Sequence, residues 1–135
     1  MPRILWGDNE QGLLAEASRF MGRYFPRAVL VTATDAENLI AATFQETYDL
    51  VVTDFNYEGE LTGLDVIRQI RRLNTLTPIY LCTNRIASHE AREVLKLKHQ
   101  LEDQAKEAGA SGVISKMDLK HNPDYVADIL RKHIG

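Results

Sequence analysis

Five short apolar runs punctuate the chain, at Arg3–Gly7, Ala28–Thr32, Asp49–Thr53, Pro78–Cys82 and Gly112–Ser115, each rich in Val, Ile, Leu or Tyr. Their apolar residues are consecutive rather than alternating, the pattern of strands covered on both faces. The segments between them repeat apolar residues every three or four positions. Leu13, Leu14, Ala17, Phe20, Met21 and Tyr24 form one such stripe, and Leu64, Ile67, Ile70 and Leu73 another; both predict amphipathic helices. A weaker stripe from Ala36 to Phe44 follows Asp35, a good N-cap. The last segment opens with Asn122 and Pro123, a cap followed by a first-turn proline, and carries Val126, Ile129, Leu130 and Ile134. Strand and helix alternate five times, and strands buried on both faces need helices on both. The expected fold is α/β, a doubly wound five-stranded parallel sheet.

Composition narrows this picture. A chain of 135 residues, 44% hydrophobic, fills one core but not two, so a single domain over residues 1–135 is expected. Sixteen Lys and Arg against nineteen Asp and Glu leave a net charge of −3, which gives no bulk attraction to phosphate backbones; a nucleic-acid partner is not expected. The single cysteine, Cys82, excludes an intrachain disulfide and any multi-cysteine metal site, and it fits a reducing compartment, the cytoplasm. No charged leader precedes a long apolar stretch, and no run approaches the roughly 18 apolar residues of a membrane span, so neither export nor membrane insertion is expected. The absence of a Gly-x-Gly-x-x-Gly turn after the first run argues against a dinucleotide cofactor.

In sheets of this kind, ligands sit outside the carboxyl ends of the strands. The first run ends in Asp8, Asn9 and Glu10, the third in Asp54, Phe55 and Asn56, the fourth in Thr83, Asn84 and Arg85, and the fifth in Lys116. A carboxylate pair with an amide oxygen and a backbone carbonyl is a ligand set that Mg²⁺ accepts, being a hard ion that keeps several waters. A hydroxyl and an ammonium beside it are suited to phosphoryl oxygens. The chemistry suggested is nucleophilic attack by an aspartate on phosphorus.

The run from Ile4 to Glu10, the Val51–Asp54 strand end, Cys82 with Thr83, and Gly112 to Lys116 together resemble the receiver domain of response regulators in two-component signalling, over nearly the whole chain. The resemblance implies a flavodoxin-like (βα)5 fold and a stand-alone signalling module rather than an enzyme, one that catalyses at most its own phosphorylation and dephosphorylation. It implies that Asp54 accepts the phosphoryl group, that Thr83 and Lys116 contact it, and that Mg²⁺ is held by Asp8, Asp54 and the backbone carbonyl of Asn56, with Asn9 a weak further candidate. The implied donor is a phosphohistidine on a sensor histidine kinase or phosphotransfer protein.

Several positions depart from the family pattern. Asn9 stands where a second acid is usual, which lowers the expected metal affinity; Glu10 reads as a helix-start acid. Asn84 replaces the usual small residue after the threonine, and Met117 replaces the proline that commonly follows the lysine. A cis bond there would cost about 2.5–4 kcal/mol, so an altered loop is expected. Neither Val113 nor Ile114 can act as the usual aromatic switch, and the loop from Tyr57 to Thr62 runs one residue long, its acids Glu58 and Glu60 forming a solvated tip. The interval from Thr83 to Lys116 is longer than usual by roughly eleven residues, about three helical turns.

This insertion, within about 86–109, predicts an extended fourth helix of about 30 Å. Ser88 would cap it, Glu90 suits its first turn, Gly109 its stop, and Ala91, Val94, Leu101, Ala105 and Ala108 keep the helical spacing. Its charges are of mixed sign, as in Glu102 with Lys106, and read as a solvated face. The functional alternative is a face offering Leu95, Leu97 and Leu101 to a downstream protein or to a second copy in a homodimer. His89 and His99 lie too far apart to share a metal on a helix, and Trp6 reads as core. Two other functions fit the sequence less well: a receiver-like interaction module that binds without phosphorylation, and a phosphohydrolase, which Asn56 disfavours because it cannot replace a general acid.

Overall fold

The computed structural model describes residues 1–59, 61–84 and 95–134, with residues 95–97 described by backbone alone. Five strands, β1 (Arg3–Gly7), β2 (Val29–Ala33), β3 (Leu50–Asp54), β4 (Ile79–Thr83) and β5 (Gly112–Ser115), form one parallel sheet in the order β2-β1-β3-β4-β5, the flavodoxin-like arrangement. The helices are α1 (Gln11–Tyr24), α2 (Ala36–Gln45), α3 (Gly63–Arg71), α4 (Leu95–Ala108), α5 (Lys116–His121) and α6 (Pro123–Ile134). Because successive strand residues point to opposite faces, Ile4, Trp6, Val52 and Cys82 pack against α1, α5 and α6, while Leu5, Val51, Ile79 and Leu81 pack against α2, α3 and α4. Trp6 is fully buried, as its place in β1 predicts.

Register aligns the carboxyl ends. Gly7 lies opposite Ala33 and Thr53, Asp54 opposite Cys82, and Thr83 opposite Ser115. The strand order reverses between β1 and β3, so the crevice opens where β1 delivers Asp8 and β3 delivers Asp54.

Four expectations need correction. Strands β2, β3 and β4 each begin and end one residue later than their apolar runs, so that Asp54 and Thr83 are the last residues of their strands; a polar side chain can end a strand when it is hydrogen-bonded. Lys116 does not close β5 but opens α5, a helix that short apolar periodicity did not reveal. Leu73, expected on the buried stripe of α3, is 79% exposed because the helix ends at Arg71. Leu101, offered above to a partner, is buried with Ala105 and Ala108 between α4 and the sheet.

The described part of α4 ends where expected, at Gly109 in the left-handed region (φ 113°), where any Cβ would meet the aliphatic part of Arg71. Arg71 donates from Nε to the Gly109 carbonyl at 2.8 Å, placing a cation at the helix's negative end. The expected start at Ser88 and Glu90, with His89, Ala91 and Val94, lies outside the described residues, as do the side chains of Leu95 and Leu97. His99 is exposed. No described helix is long and apolar enough to cross a membrane.

Candidate functional site

Each side chain of the site is fixed by the local structure that follows its strand. Asp8, fully buried, donates its N–H to the Ala33 carbonyl at 3.0 Å, and its Oδ1 accepts the Glu10 N–H at 2.8 Å, a turn that leads the chain into α1. Glu10 is the N-cap residue of α1 and is exposed, in keeping with its reading as a helix-start acid. Asp54, 3% exposed, accepts the Phe55 N–H on Oδ1 at 2.8 Å. Lys116 is the first residue of α5, and the Ser115 hydroxyl caps that helix by accepting the Met117 N–H at 3.1 Å. The peptide bonds among the described residues are all trans, so this capped turn sets the lysine's direction where the family commonly has proline.

These three residues converge. The Lys116 ammonium lies 3.0 Å from Asp8 Oδ2 and 3.0 Å from Asp54 Oδ1. Burial pushes the Asp8 carboxyl above its ordinary value, although the Glu10 N–H and the lysine oppose this. Burial alone would lower Lys116, but the two carboxylates outweigh it and hold the ammonium above its usual range. The lysine is therefore firmly cationic and bridges two acids that would otherwise repel.

Thr83 ends β4 buried, in register with Ser115 and so beside the turn that carries Lys116. Asn9 is half-buried at the bend after Asp8. Asn56 is exposed, its backbone held by an antiparallel bridge to Thr62. The carboxylates of Asp8 and Asp54 are donors that suit a hard cation, and among the described residues Asp8 Oδ2 has the lysine ammonium beside it and no other hydrogen-bond donor. Among the described residues there is no group of three or more His, Cys, Asp and Glu placed to hold a metal. Cys82 is fully buried beside Asp54, and burial pushes its thiol up, which removes it as a nucleophile.

Sequence reasoning missed three members of the site. Tyr57, read only as the first residue of the loop after the third run, is buried and bonds Thr53; an aromatic residue in a loop with two acids was the available signal. Gly63 opens α3 so close to β3 that a Cβ there would collide with the Asp54 carbonyl oxygen, and its N–H donates to the Phe55 carbonyl at 2.6 Å. Ser115 was read as strand, but its hydroxyl is the cap of α5.

A parallel sheet in this order, with two acids and a lysine gathered at its switch point, defines a flavodoxin-like α/β module with a polar site at the carboxyl ends of its strands. The chain belongs to the response regulator receiver domain family, whose model matches residues 4–122. No curated protein matches the sequence. Among solved structures, it resembles the chemotaxis protein CheY4 of Vibrio cholerae (TM-score 0.76, 20% identity, 98% of each chain covered). It also resembles a LuxR-family two-component response regulator from Aurantimonas (TM-score 0.72, 26% identity, 97% of this chain and 86% of that one), and a BeF3-activated DrrB receiver domain (TM-score 0.74, 18% identity, 99% and 97%). The structural likeness takes in α6, beyond the last residue that the family model matches. Receiver domains are signalling modules of two-component systems.

Proposed function

We propose that this chain, acting as one unit over residues 1–135, accepts a phosphoryl group on Asp54 from a phosphohistidine and signals through a protein–protein surface. The observation that carries the reading is the Lys116 ammonium held 3.0 Å from both acids at the switch point of the sheet. A carboxylate oxygen of Asp54 attacks phosphorus as the P–N bond of the donor breaks; the imidazole nitrogen leaves with the electron pair and is protonated, and an aspartyl phosphate forms. Lys116 then pairs with a phosphoryl oxygen, and the Thr83 hydroxyl donates to another. Asp8, Asp54 and the Asn56 carbonyl would hold Mg²⁺, with Asn9 as an uncharged further candidate; when bound, the ion neutralises charge on the phosphoryl oxygens. Bound to a carboxylate oxygen, BeF3 takes the tetrahedral shape of a phosphoryl group, and the BeF3-activated DrrB receiver domain is in keeping with the same chemistry here.

The proposed donors are a sensor histidine kinase or a phosphotransfer protein. The proposed output is a downstream protein, or a second copy of this chain, at the exposed side of α4; Leu101 is not part of that face. One observation favours the second reading, an interaction module that needs no phosphorylation: the acids of the described site number two, with Asn9 beside them.

Intact mass after incubation with acetyl phosphate and Mg²⁺ separates the two. One added phosphoryl group on the wild type and none on a folded Asp54→Asn variant is the expected result. No addition from acetyl phosphate or from phosphohistidine donors would overturn it in favour of the interaction module.

A further inference from the structure

Tyr57 turns back from the loop after β3 and brings its hydroxyl under the peptide groups of Asp54. Three hydrogen bonds close a circuit there. The Asp54 N–H donates to the Tyr57 hydroxyl at 3.3 Å, the Tyr57 hydroxyl lies 2.8 Å from Thr53 Oγ1, and the Thr53 hydroxyl donates to the Asp54 carbonyl at 3.1 Å. The proton arrangement that satisfies all three has Tyr57 donating to Thr53, so the chain of donors leaves Asp54 at its N–H and returns to it at its C=O. Such circuits polarise each member and are strengthened by burial. Tyr57 is 7% exposed and Thr53 fully buried.

The same hydroxyl reaches the other acid-bearing strand. A Cβ on Gly7, the residue before Asp8, would lie 2.5 Å from Tyr57 Oη and 2.8 Å from Leu39 Cδ2. Glycine at this place in β1 is what admits the phenol between the two strand ends. The tyrosine thus touches both backbones whose acids Lys116 bridges.

We infer that Tyr57 is a positioning residue for the phosphoryl acceptor: its hydroxyl, with that of Thr53, fixes the Asp54 peptide so that the carboxylate faces the incoming phosphorus beside Asp8 and Lys116. The inference rests on phosphoryl acceptance at Asp54 and extends it to a residue that itself contacts neither phosphate nor metal. A misplaced nucleophile loses rate steeply, whereas a metal that keeps several waters adjusts to small shifts of one carboxylate.

The test measures the initial rate of Asp54 modification by acetyl phosphate across Mg²⁺ concentrations, well below the unfolding temperature, in the wild type, Tyr57→Phe, Thr53→Val and the double variant. Tyr57→Phe is expected to lower the rate at saturating Mg²⁺ about tenfold while shifting the half-saturating Mg²⁺ concentration by less than about threefold. Thr53→Val should act in the same direction, and it keeps the test decisive if the phenylalanine variant fails to fold. The double variant should lose no more than the worse single one, because a circuit broken once is already open. A wild type that is modified while a folded Tyr57→Phe stays within about twofold of it would overturn the inference alone. Equal losses of rate and Mg²⁺ affinity would overturn it too, by showing a collapsed site, and a wild type that is never modified would remove the function beneath it.

Discussion

Asp8 carries a charge that its burial opposes. It is fully buried, and its carboxyl titrates above the ordinary value because burial outweighs the Glu10 N–H and Lys116. A carboxyl raised in the folded state is worse off ionised there than in the unfolded chain, so its charge at neutral pH detracts from stability and the loss shrinks as pH falls. Asp8→Asn is therefore expected to raise the metal-free Tm by a few degrees, on the order of 1 kcal/mol, and to abolish any further rise on adding Mg²⁺. Thermal unfolding in EDTA and in Mg²⁺ checks both, and a lower metal-free Tm would contradict the argument. Asp8, Asp54, Thr83 and Lys116 could be picked out of the sequence because each follows an apolar run and is of a type that phosphoryl chemistry uses. Tyr57 could not, because the partners that define it, Thr53 and the space over Gly7, meet only when β1 and β3 lie side by side.

Among the elements, α5 shows how a short helix can do the work of a rigid loop. Ser115 caps it, Lys116 is its first residue, and Asp118 accepts from Asn122 Nδ2 at 3.0 Å near its end. Ser115→Ala should lower stability by about 1 kcal/mol, the usual loss for a missing N-cap, and should slow acetyl phosphate modification of Asp54 by loosening Lys116. Denaturant unfolding and the mass assay read the two effects; a loss of stability with an unchanged rate would mean the cap does not aim the lysine. The helix escaped the sequence reading because its six residues are too few for apolar periodicity to register, and its stability comes from packing of Leu119 in the core. The stop of α4 at Gly109 was legible, since a positive φ is a local demand for glycine, but the burial of Leu101 was not, since it depends on how the helix lies against α3 and the sheet.

Across the whole molecule, the sheet is clasped to its last helix by Tyr80, whose hydroxyl meets His133 Nε2 at 2.9 Å with the two aromatic groups edge to face. Burial, with a smaller effect from Lys132, holds the His133 imidazole below its ordinary value. The neutral form is favoured in the fold, so this contribution is complete above the unfolded imidazole range near 6.5 and is lost as pH falls through the lower folded value. Between about pH 7 and about pH 5, the Tm of the wild type should fall more steeply than that of His133→Gln, which keeps an acceptor for Tyr80 but cannot titrate; parallel slopes would show that the histidine does not contribute. The sequence by itself determined the alternation of strand and helix, the two-sided burial of the sheet and the order of the acids, the hydroxyl and the lysine, because periodicity, caps and turn residues act over a few positions. Only the tertiary structure decided that Lys116 lies between Asp8 and Asp54, that Tyr57 sits under Asp54 and that Leu101 belongs to the core. Those facts depend on which residues, distant along the chain, the register of five strands brings within hydrogen-bond reach.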